Sequence, residues 1–257
     1  MTSIEFTASS NDHYRFGNVA RMEWIKLMSL RSTWWTLGTT VAAAIGVAAA
    51  VGLNTVDASG DLTNNALSGI AVGLLLMGVL GVLSMTGDCT SGTLRTSLTA
   101  VPNRSLLLAA KATVFGGIAL VVGEAASLTA FFAGTATLRD GIAPPTLAQP
   151  EVLRAVLLSG SGYCLIGLLG LGLGAIVRHT PAAIGLLVGA VYVASQLIGG
   201  LANSVMGWVP VSIVANSLAA AKPMEGMLSP WVGLGVLSLY VAVALGIGAR
   251  MLERRDA

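Results

Sequence analysis

Six long runs of apolar residues dominate the sequence, and short polar segments separate them. The runs cover residues 34–53, 66–86, 112–138, 152–177, 181–201 and 231–249. A hydrocarbon core about 30 Å thick is crossed by about 20 helical residues, so each run is long enough to span a membrane. The runs lack the alternation of apolar and polar residues that outer-membrane β-strands show. The pattern therefore predicts an all-α integral membrane fold with six transmembrane helices.

An amphipathic segment precedes the first run. Residues 19–35 place the apolar side chains of Met22, Ile25, Met28 and Leu30 among basic ones, which is typical of a helix lying in the membrane interface. The residues that would hold this helix in the interface, with the tryptophans at headgroup level, are Glu23, Lys26, Arg31, Trp34 and Trp35. No early apolar stretch precedes it, so no cleavable signal peptide is expected.

Two later connections have distinct patterns. Residues 202–230 are moderately apolar but contain Trp208 and three prolines, so we expect short extracellular helices that dip into the outer leaflet between spans five and six. The connection at residues 178–180 is very short and is followed by Pro181, which suits the first turn of a helix because its missing N–H is not needed there. Spans four and five should form a tight hairpin.

The composition agrees with lipid as the solvent. Charged residues make up 10% of the chain and hydrophobic residues 54%, with a mean hydropathy of +0.80. A water-soluble domain carries roughly a quarter charged residues, so a soluble fold is excluded. The net charge of +2 is too small to indicate a nucleic-acid partner. Cys89 and Cys164 stand apart without metal-ligand spacing, so neither a disulfide nor a metal site is expected.

The distribution of Lys and Arg predicts the orientation. Eleven of the 14 basic residues fall in the N-terminal segment, the second and fourth connections and the C-terminal tail. The other three fall in the first, third and fifth connections, which also carry five acidic residues. Because cytoplasmic segments are enriched in Lys and Arg, both termini are expected in the cytoplasm. An even number of spans follows from this, and six satisfies it.

Motifs for enzymatic chemistry are missing. The chain contains no G-x-x-x-x-G-K-[ST] loop to hold ATP phosphates and no H-E-x-x-H zinc motif. The only histidines, His13 and His179, lie outside the apolar runs, so an intramembrane serine protease lacks its base. Small residues such as Gly167, Gly170, Gly172 and Gly174 are interpreted as helix-packing positions. We therefore expect a protein that is not itself an enzyme and binds no cofactor.

Glu124 is the one acidic residue well inside a predicted span. A charge at that depth costs about 2.5 to 3.5 kcal/mol on insertion scales, and no basic residue lies at a comparable depth to pair with it. Two interpretations remain open. The carboxyl group either serves a substrate path or an inter-helix hydrogen bond, or it is a protonated or snorkelling group tolerated near Ser127 and Thr129.

Four stretches together resemble the membrane subunit of bacterial ABC-2 type transporters, in the form common in actinobacteria, and the resemblance covers almost the whole chain. Residues 23–35 resemble the family's E-W-x-K-L-x-S-L-R-S-T-W-W opening. Residues 88–104 resemble its E-x-x-x-G-T-[IL]-R-x-x-L-x-A-x-P-x-R pattern, with Asp88 in place of Glu and an A-K pair closing at Lys111. Residues 172–180 resemble the family's fourth hairpin, and residues 254–257 a frequent ending.

The resemblance implies a single ABC-2 type transmembrane domain over residues 1–257. Such a subunit would be a six-span permease of the bacterial cell membrane, an exporter that dimerises with a second copy or a homologue. It would bind separate ABC ATP-binding subunits, which hold and hydrolyse the ATP. Carried over residue by residue, the ATPase-coupling region would contain Asp88, Gly92, Thr93, Arg95, Pro102 and Arg104. The alternative is a non-transporting scaffold or sensor subunit that recruits cytoplasmic partners through the same basic segments.

Overall fold

The computed structural model describes residues 15–56, 60–101, 103–139, 141–193 and 203–255. These residues form helices joined by turns, and none of them lies in a β-strand. The first half contains α1 (Phe16–Ser29), α2 (Arg31–Asn54), α3 (Leu62–Ala66), α4 (Ile70–Thr90), α5 (Thr93–Ala100) and α6 (Arg104–Ala136). The second half contains α7 (Pro150–Val177), α8 (Thr180–Leu187), α9 (Asn203–Met206), α10 (Pro210–Ser212) and α11 (Pro230–Arg255). The π-helical segments Val188–Val193 and Ile213–Leu218 continue α8 and α10.

Five helices are long and apolar enough to cross a membrane, namely α2, α4, α6, α7 and α11. They correspond to the predicted spans 34–53, 66–86, 112–138, 152–177 and 231–249. Their outward faces carry large apolar side chains, and Trp35, Val121 and Trp231 are 78%, 70% and 67% exposed. Lipid accepts such a surface and water does not. The chain is therefore an all-α, multi-pass membrane protein.

The predicted amphipathic segment is divided between two helices. α1 ends at Ser29, Leu30 has an extended backbone with φ −82° and ψ 119°, and α2 begins at Arg31. Trp34 therefore belongs to the first turn of a membrane-crossing helix, and its Nε1 donates a hydrogen bond to the carbonyl oxygen of Met28 (3.0 Å). This bond satisfies a carbonyl group left open where α1 ends. One continuous helix over residues 19–35 is not formed.

Two helices extend further into the second connection than the apolar runs predict. α6 begins at Arg104 and not at residue 112, because Asn103 caps it by accepting a hydrogen bond from the N–H of Leu106 (3.0 Å). α4 continues to Thr90. Lys111 and Asp88, which both fall outside the predicted runs 66–86 and 112–138, therefore lie inside helices. The two charges can be buried in helices because they pair with each other, with Lys111 Nζ 2.8 Å from Asp88 Oδ2.

Glycines allow α4 and α7 to pack closely. A Cβ atom on Gly81 would overlap the carbonyl oxygen of Gly167, and a Cβ atom on Gly170 would overlap that of Gly78. Small residues let membrane helices approach in this way, so that packing replaces the hydrophobic effect as the source of association. All four glycines of α7 that were interpreted as packing positions lie at helix contacts.

The tight hairpin between spans four and five forms as predicted. α7 ends at Val177, Arg178 adopts the left-handed conformation with φ 57°, and α8 begins at Thr180. Pro181 lies in the first turn of α8, where its missing N–H breaks no helical hydrogen bond.

Long-range hydrogen bonds show which segments lie together at each end of the bundle. We call the two ends the α1 end and the α3 end, after a helix that lies at each. At the α1 end, Arg104 at the start of α6 donates to the carbonyl oxygen of Leu252 in the last turns of α11 (2.9 Å). At the α3 end, Asp61 accepts hydrogen bonds from the N–H groups of Ala221 and Lys222 (2.7 and 3.1 Å). The second connection and the C-terminal turns of α11 thus share one end, and the first and fifth connections share the other.

The fifth predicted span, 181–201, lies partly outside the described residues. Thr180 donates a hydrogen bond to Thr86 near the C-terminal end of α4 (2.9 Å), and Tyr192 donates one to the carbonyl oxygen of Ala71 near its N-terminal end (3.4 Å). α8 and its π-helical continuation therefore run antiparallel to α4 from the α1 end toward the α3 end. Residues 194–202 lie outside the described residues, so a sixth crossing stays a prediction.

Short helices occupy the fifth connection, as the pattern predicts. Val214 in the π-helical segment packs against Gly162, in the middle of α7. A few residues later, the carbonyl oxygens of Ala220 and Ala221 accept hydrogen bonds from Arg154 in the second turn of α7 (3.4 and 2.9 Å). The segment therefore enters the bundle to about half the length of α7 and returns to the α3 end.

Candidate functional site

Four charged side chains form a closed ring of alternating sign at the α1 end. Lys111 Nζ on α6 lies 2.5 Å from Glu23 Oε2 on α1 and 2.8 Å from Asp88 Oδ2 on α4. Lys26 Nζ on α1 lies 2.6 Å from the same Asp88 oxygen and 3.6 Å from Glu23 Oε1. Each charge therefore contacts two charges of opposite sign. We call Glu23, Lys26, Asp88 and Lys111 the charge ring.

The charge ring is largely withdrawn from solvent. Glu23, Asp88 and Lys111 are 3%, 7% and 6% exposed. Taking an ion out of water costs several kcal/mol, which nearby opposite charges repay only when their geometry is good and further hydrogen bonds are made. Lys111 makes such a bond, donating to the carbonyl oxygen of Ser84 (3.3 Å). Loss of one member leaves three charges that no longer balance, so the ring fixes α1, α4 and α6 relative to one another.

Helix α1 presents Glu23 on its buried face. Val19, Glu23 and Leu27 are the buried residues of this helix, and their spacing of four places them in one stripe. The predicted apolar face differs from this one, since Ile25 and Leu30 are 58% and 49% exposed. The difference arises because the side of α1 that meets the bundle is set by the ion pairs of Glu23 as well as by apolar burial.

A left-handed turn returns the chain from α4 to the charge ring. Gly92 precedes α5 with φ 74°, a conformation that glycine adopts without the steric cost other residues bear. The hydroxyl of Thr93 then donates a hydrogen bond to Asp88 Oδ1 (3.1 Å). One oxygen of Asp88 thus binds both lysines and the other binds the first residue of α5. Asp88 therefore contacts Lys26, Lys111 and Thr93.

Of the other predicted residues, Arg104 lies away from the charge ring. Arg104 contacts the last turns of α11, where its guanidinium group donates to two carbonyl oxygens (2.9 and 3.0 Å). Pro102 lies outside the described residues, and Arg95 is described by its backbone in α5. The remaining interfacial residues are exposed, namely Arg31, Trp34 and Trp35. The structure thus joins two of the five interfacial residues, Glu23 and Lys26, to Asp88 and Thr93 of the coupling set.

Glu124 lies apart from the charge ring, near the middle of α6. Its Oε1 accepts a hydrogen bond from Ser161 on α7 (3.4 Å), and its buried Oε2 has no hydrogen-bond partner. Among the described residues, Glu124 is in ion-pair contact with no Lys or Arg.

Sequence reasoning missed Lys111 as a member of the site. It was counted as one basic residue of a connection, and its partner Glu23 stands 88 positions earlier in the chain. A local signal was present at Asn103, a favoured N-cap residue directly before a good helix sequence. A helix begun at residue 104 would have placed Lys111 two turns inside it, and hence in need of a partner.

A pocket of about 340 Å³ opens beside the charge ring and is walled by Leu27, Leu30 and Leu83 together with hydroxyl groups. Among the described residues, no group of three or more His, Cys, Asp or Glu side chains is placed to hold a metal ion. The sequence matches no protein-family model, and comparison with curated proteins finds no match. Functional inference therefore rests on the charge ring and on the sequence motifs.

Proposed function

We propose that this chain is the membrane subunit of an ABC transporter of the ABC-2 type and that it works as an exporter permease. The charge ring is the observation that carries the proposal. It joins α1 to the turn between α4 and α5, and these two segments carry the most specific motifs of the resemblance. Two stretches that look like parts of one coupling surface are therefore in direct contact.

The proposed coupling works through mechanical connection. α1 and α5 receive the movement of a separate ATP-binding subunit, and the charge ring passes it to α4 and α6, which are long enough to cross the membrane. Association of two ATPases on binding ATP favours one arrangement of two permease copies, and hydrolysis releases it. ATP is held by the partner, and this chain supplies no catalytic residue.

In the proposed topology the α1 end faces the cytoplasm of a bacterial cell and both termini lie there. The support is the bias of eleven of the 14 Lys and Arg residues toward the segments at that end. The hydrogen bond between Arg104 and Leu252 is consistent with this arrangement, because it joins the second connection to the C-terminal turns of the last helix. The α3 end, with the short helices of residues 203–218, then faces outward.

Co-purification with an ATPase tests the proposal. The full chain is expressed with a candidate ABC ATP-binding subunit, isolated in mild detergent and reconstituted in lipid vesicles. We expect a stable complex whose ATP turnover differs from that of the ATPase alone. A chain that resides stably in the membrane and neither binds an ATPase nor alters its turnover contradicts the proposal and supports a scaffold or sensor subunit instead.

A further inference from the structure

The seam between α6 and α7 contains a carboxyl group that the proposed transport mechanism does not use. Side chains donate hydrogen bonds across this seam at successive levels: Cys164 to the carbonyl oxygen of Gly116 (3.3 Å), Ser161 to Glu124 Oε1 (3.4 Å) and Ser127 to the carbonyl oxygen of Val156 (2.7 Å). The other two acceptors are backbone carbonyls, which are always neutral. Glu124 is the one acceptor in this series that can bind a proton.

The position of Glu124 is far from water along the helix axis. Lys111 and Ala136 on the same helix are each about 20 Å away, at about 1.5 Å per residue. The carboxyl group rests in a notch at Gly160, where a Cβ atom would lie 2.5 Å from Oε2. Leu120 and Val121, one turn earlier, are 40% and 70% exposed on the surface that meets lipid. The carboxyl group therefore lies at mid-membrane, beside a face open to lipid.

No described counter-charge reaches this carboxyl group from the elements packed on α6. On α1 and α4 the charges are those of the charge ring, which pair with one another, and Arg21, which is exposed on α1. On α7 the nearest cation is Arg154, whose guanidinium group donates to the carbonyl oxygens of Ala220 and Ala221. The other charged groups on these elements lie near the two ends of the bundle: Arg31 on α2, Asp61 beside α3, Arg104 on α6, Glu151 and Arg178 at the two ends of α7, and Arg250, Glu253 and Arg254 on α11. Uncharged titratable neighbours on α7 are Tyr163 and Cys164.

The unpartnered Oε2 of Glu124 determines which protonation state of this carboxyl group has the lower free energy. An ionised carboxylate in hydrocarbon needs a cation or several donors, and Glu124 has one hydroxyl donor. A neutral carboxylic acid loses one hydrogen bond at most under the same conditions. We propose that Glu124 is a proton-binding site within the membrane, a neutral carboxylic acid at neutral pH that is accessible from the lipid phase. This inference is independent of the proposed transport function.

A hydrophobic carbodiimide detects such a group. The acid O–H adds across one C=N bond: the proton goes to nitrogen, and the carboxyl oxygen bonds to the central carbon. The adduct rearranges to a stable N-acylurea by transfer of the acyl group from oxygen to nitrogen. No group leaves and no electrons are exchanged with another reagent. A carboxylate has no proton to supply, so the reaction reports the neutral acid.

The experiment uses the full chain in its membrane. Membranes are treated with dicyclohexylcarbodiimide at neutral pH, and the modified residue is located by mass spectrometry. We expect modification at Glu124, its loss in Glu124→Gln, and its loss in the unchanged chain as the pH is raised. Glu23 and Asp88 serve as internal controls and should remain unmodified, since each is in ion-pair contact with lysine.

A positive control tests whether the reagent reaches this face. Val121→Glu combined with Glu124→Gln places a carboxyl group one turn away at a position that is 70% exposed. Modification of that variant without modification of Glu124 in the unchanged chain overturns the proposal. If the variant does not insert, infrared difference spectra of the unchanged chain against Glu124→Gln decide the question. A carbonyl stretching band of a protonated acid supports the proposal, and carboxylate bands alone overturn it.

Discussion

Lys111 Nζ lies 2.5 Å from Glu23 Oε2, although the two residues are 88 positions apart in the chain. This contact ties α1 to a membrane-crossing helix through ionic groups that are both almost completely buried. Its strength comes from the ring it belongs to, because Asp88 and Lys26 supply each of the two charges with a second partner. The position of α1 is therefore set by electrostatic pairing and not by apolar contact alone.

Lys111→Met is expected to destabilise the protein strongly. The substitution keeps a long apolar side chain but leaves Glu23 and Asp88 with Lys26 as their only cation in the charge ring. Breaking a buried ion pair costs about 3–5 kcal/mol because an uncompensated charge remains buried. The measurement is the free energy of unfolding in mild detergent. Lys222→Met, at an exposed position, is the matched control and should change stability by less than about 0.5 kcal/mol.

A double variant separates pairing from packing. If the loss in Lys111→Met arises from an orphaned carboxylate, then adding Glu23→Gln removes that charge, and the double variant should be less destabilised than the sum of the single changes. Residues in one ionic network commonly couple by about 0.5–3 kcal/mol. Simple additivity of the two changes would show that Glu23 and Lys111 do not interact in the folded protein.

The membrane class and most helix positions were predictable from the sequence because they depend on local properties. An apolar run of about 20 residues has few alternatives in lipid, and five of six predicted runs appear as long helices. Helix ends were harder to predict, because an apolar run recognised by its hydropathy ends at the first charged residue even where the helix continues. α4 and α6 include Asp88 and Lys111, since each charge is neutralised by a partner from elsewhere in the chain.

The charge ring was only partly predictable. Asp88, Thr93, Glu23 and Lys26 were singled out from two separate motifs, but nothing in either motif says that the two meet. Their contact depends on the path of α1 across α4 and α6, and such pairing between distant segments leaves no periodic trace in one sequence. The break between α1 and α2 at Leu30 was also missed, because neither glycine nor proline marks it in the sequence.

Arg95→Glu is expected to uncouple the partner ATPase while leaving insertion intact. Arg95 lies in α5, which is attached to the charge ring through Thr93. Reversal of a charge on a docking surface weakens association with a complementary partner but leaves the long apolar helices unchanged. The measurements are membrane yield and the response of ATP turnover to the permease. Lys222→Glu, at the α3 end, is the control, and normal export by Arg95→Glu would show that the coupling assignment is wrong.

Gly81→Ala is expected to disrupt the packing of α4 on α7. The added methyl group would overlap the carbonyl oxygen of Gly167, and a backbone atom cannot move aside as a flexible side chain does. Overpacking of this kind costs about 1–3 kcal/mol. The midpoint of thermal unfolding should fall. Gly117→Ala is the matched control, because a Cβ atom there meets nothing within 4 Å, and equal midpoints for the two variants would contradict the close contact.

Asp61→Ala is expected to release the end of the fifth connection. Asp61 Oδ2 accepts hydrogen bonds from the N–H groups of Ala221 and Lys222, while Arg154 holds the carbonyl oxygens of the same turn. Hydrogen bonds to a charged group are worth about 1.5–3 kcal/mol, so their loss should raise exposure of this turn about tenfold or more. Ala220 is the reporter position, since it is 3% exposed.

The measurement is reaction of Ala220→Cys with a membrane-impermeant maleimide in intact cells, after both native cysteines are replaced by alanine. Labelling should be slow with Asp61 present and fast in Asp61→Ala. Met224→Cys, 60% exposed, should react equally in both backgrounds and shows that the α3 end faces outward. Asp61→Asn keeps an acceptor for the α3 cap but loses the charge, so its labelling rate should fall between the two. Protection of Ala220→Cys in Asp61→Ala, with Met224→Cys fully reactive, would mean that Asp61 does not hold this turn.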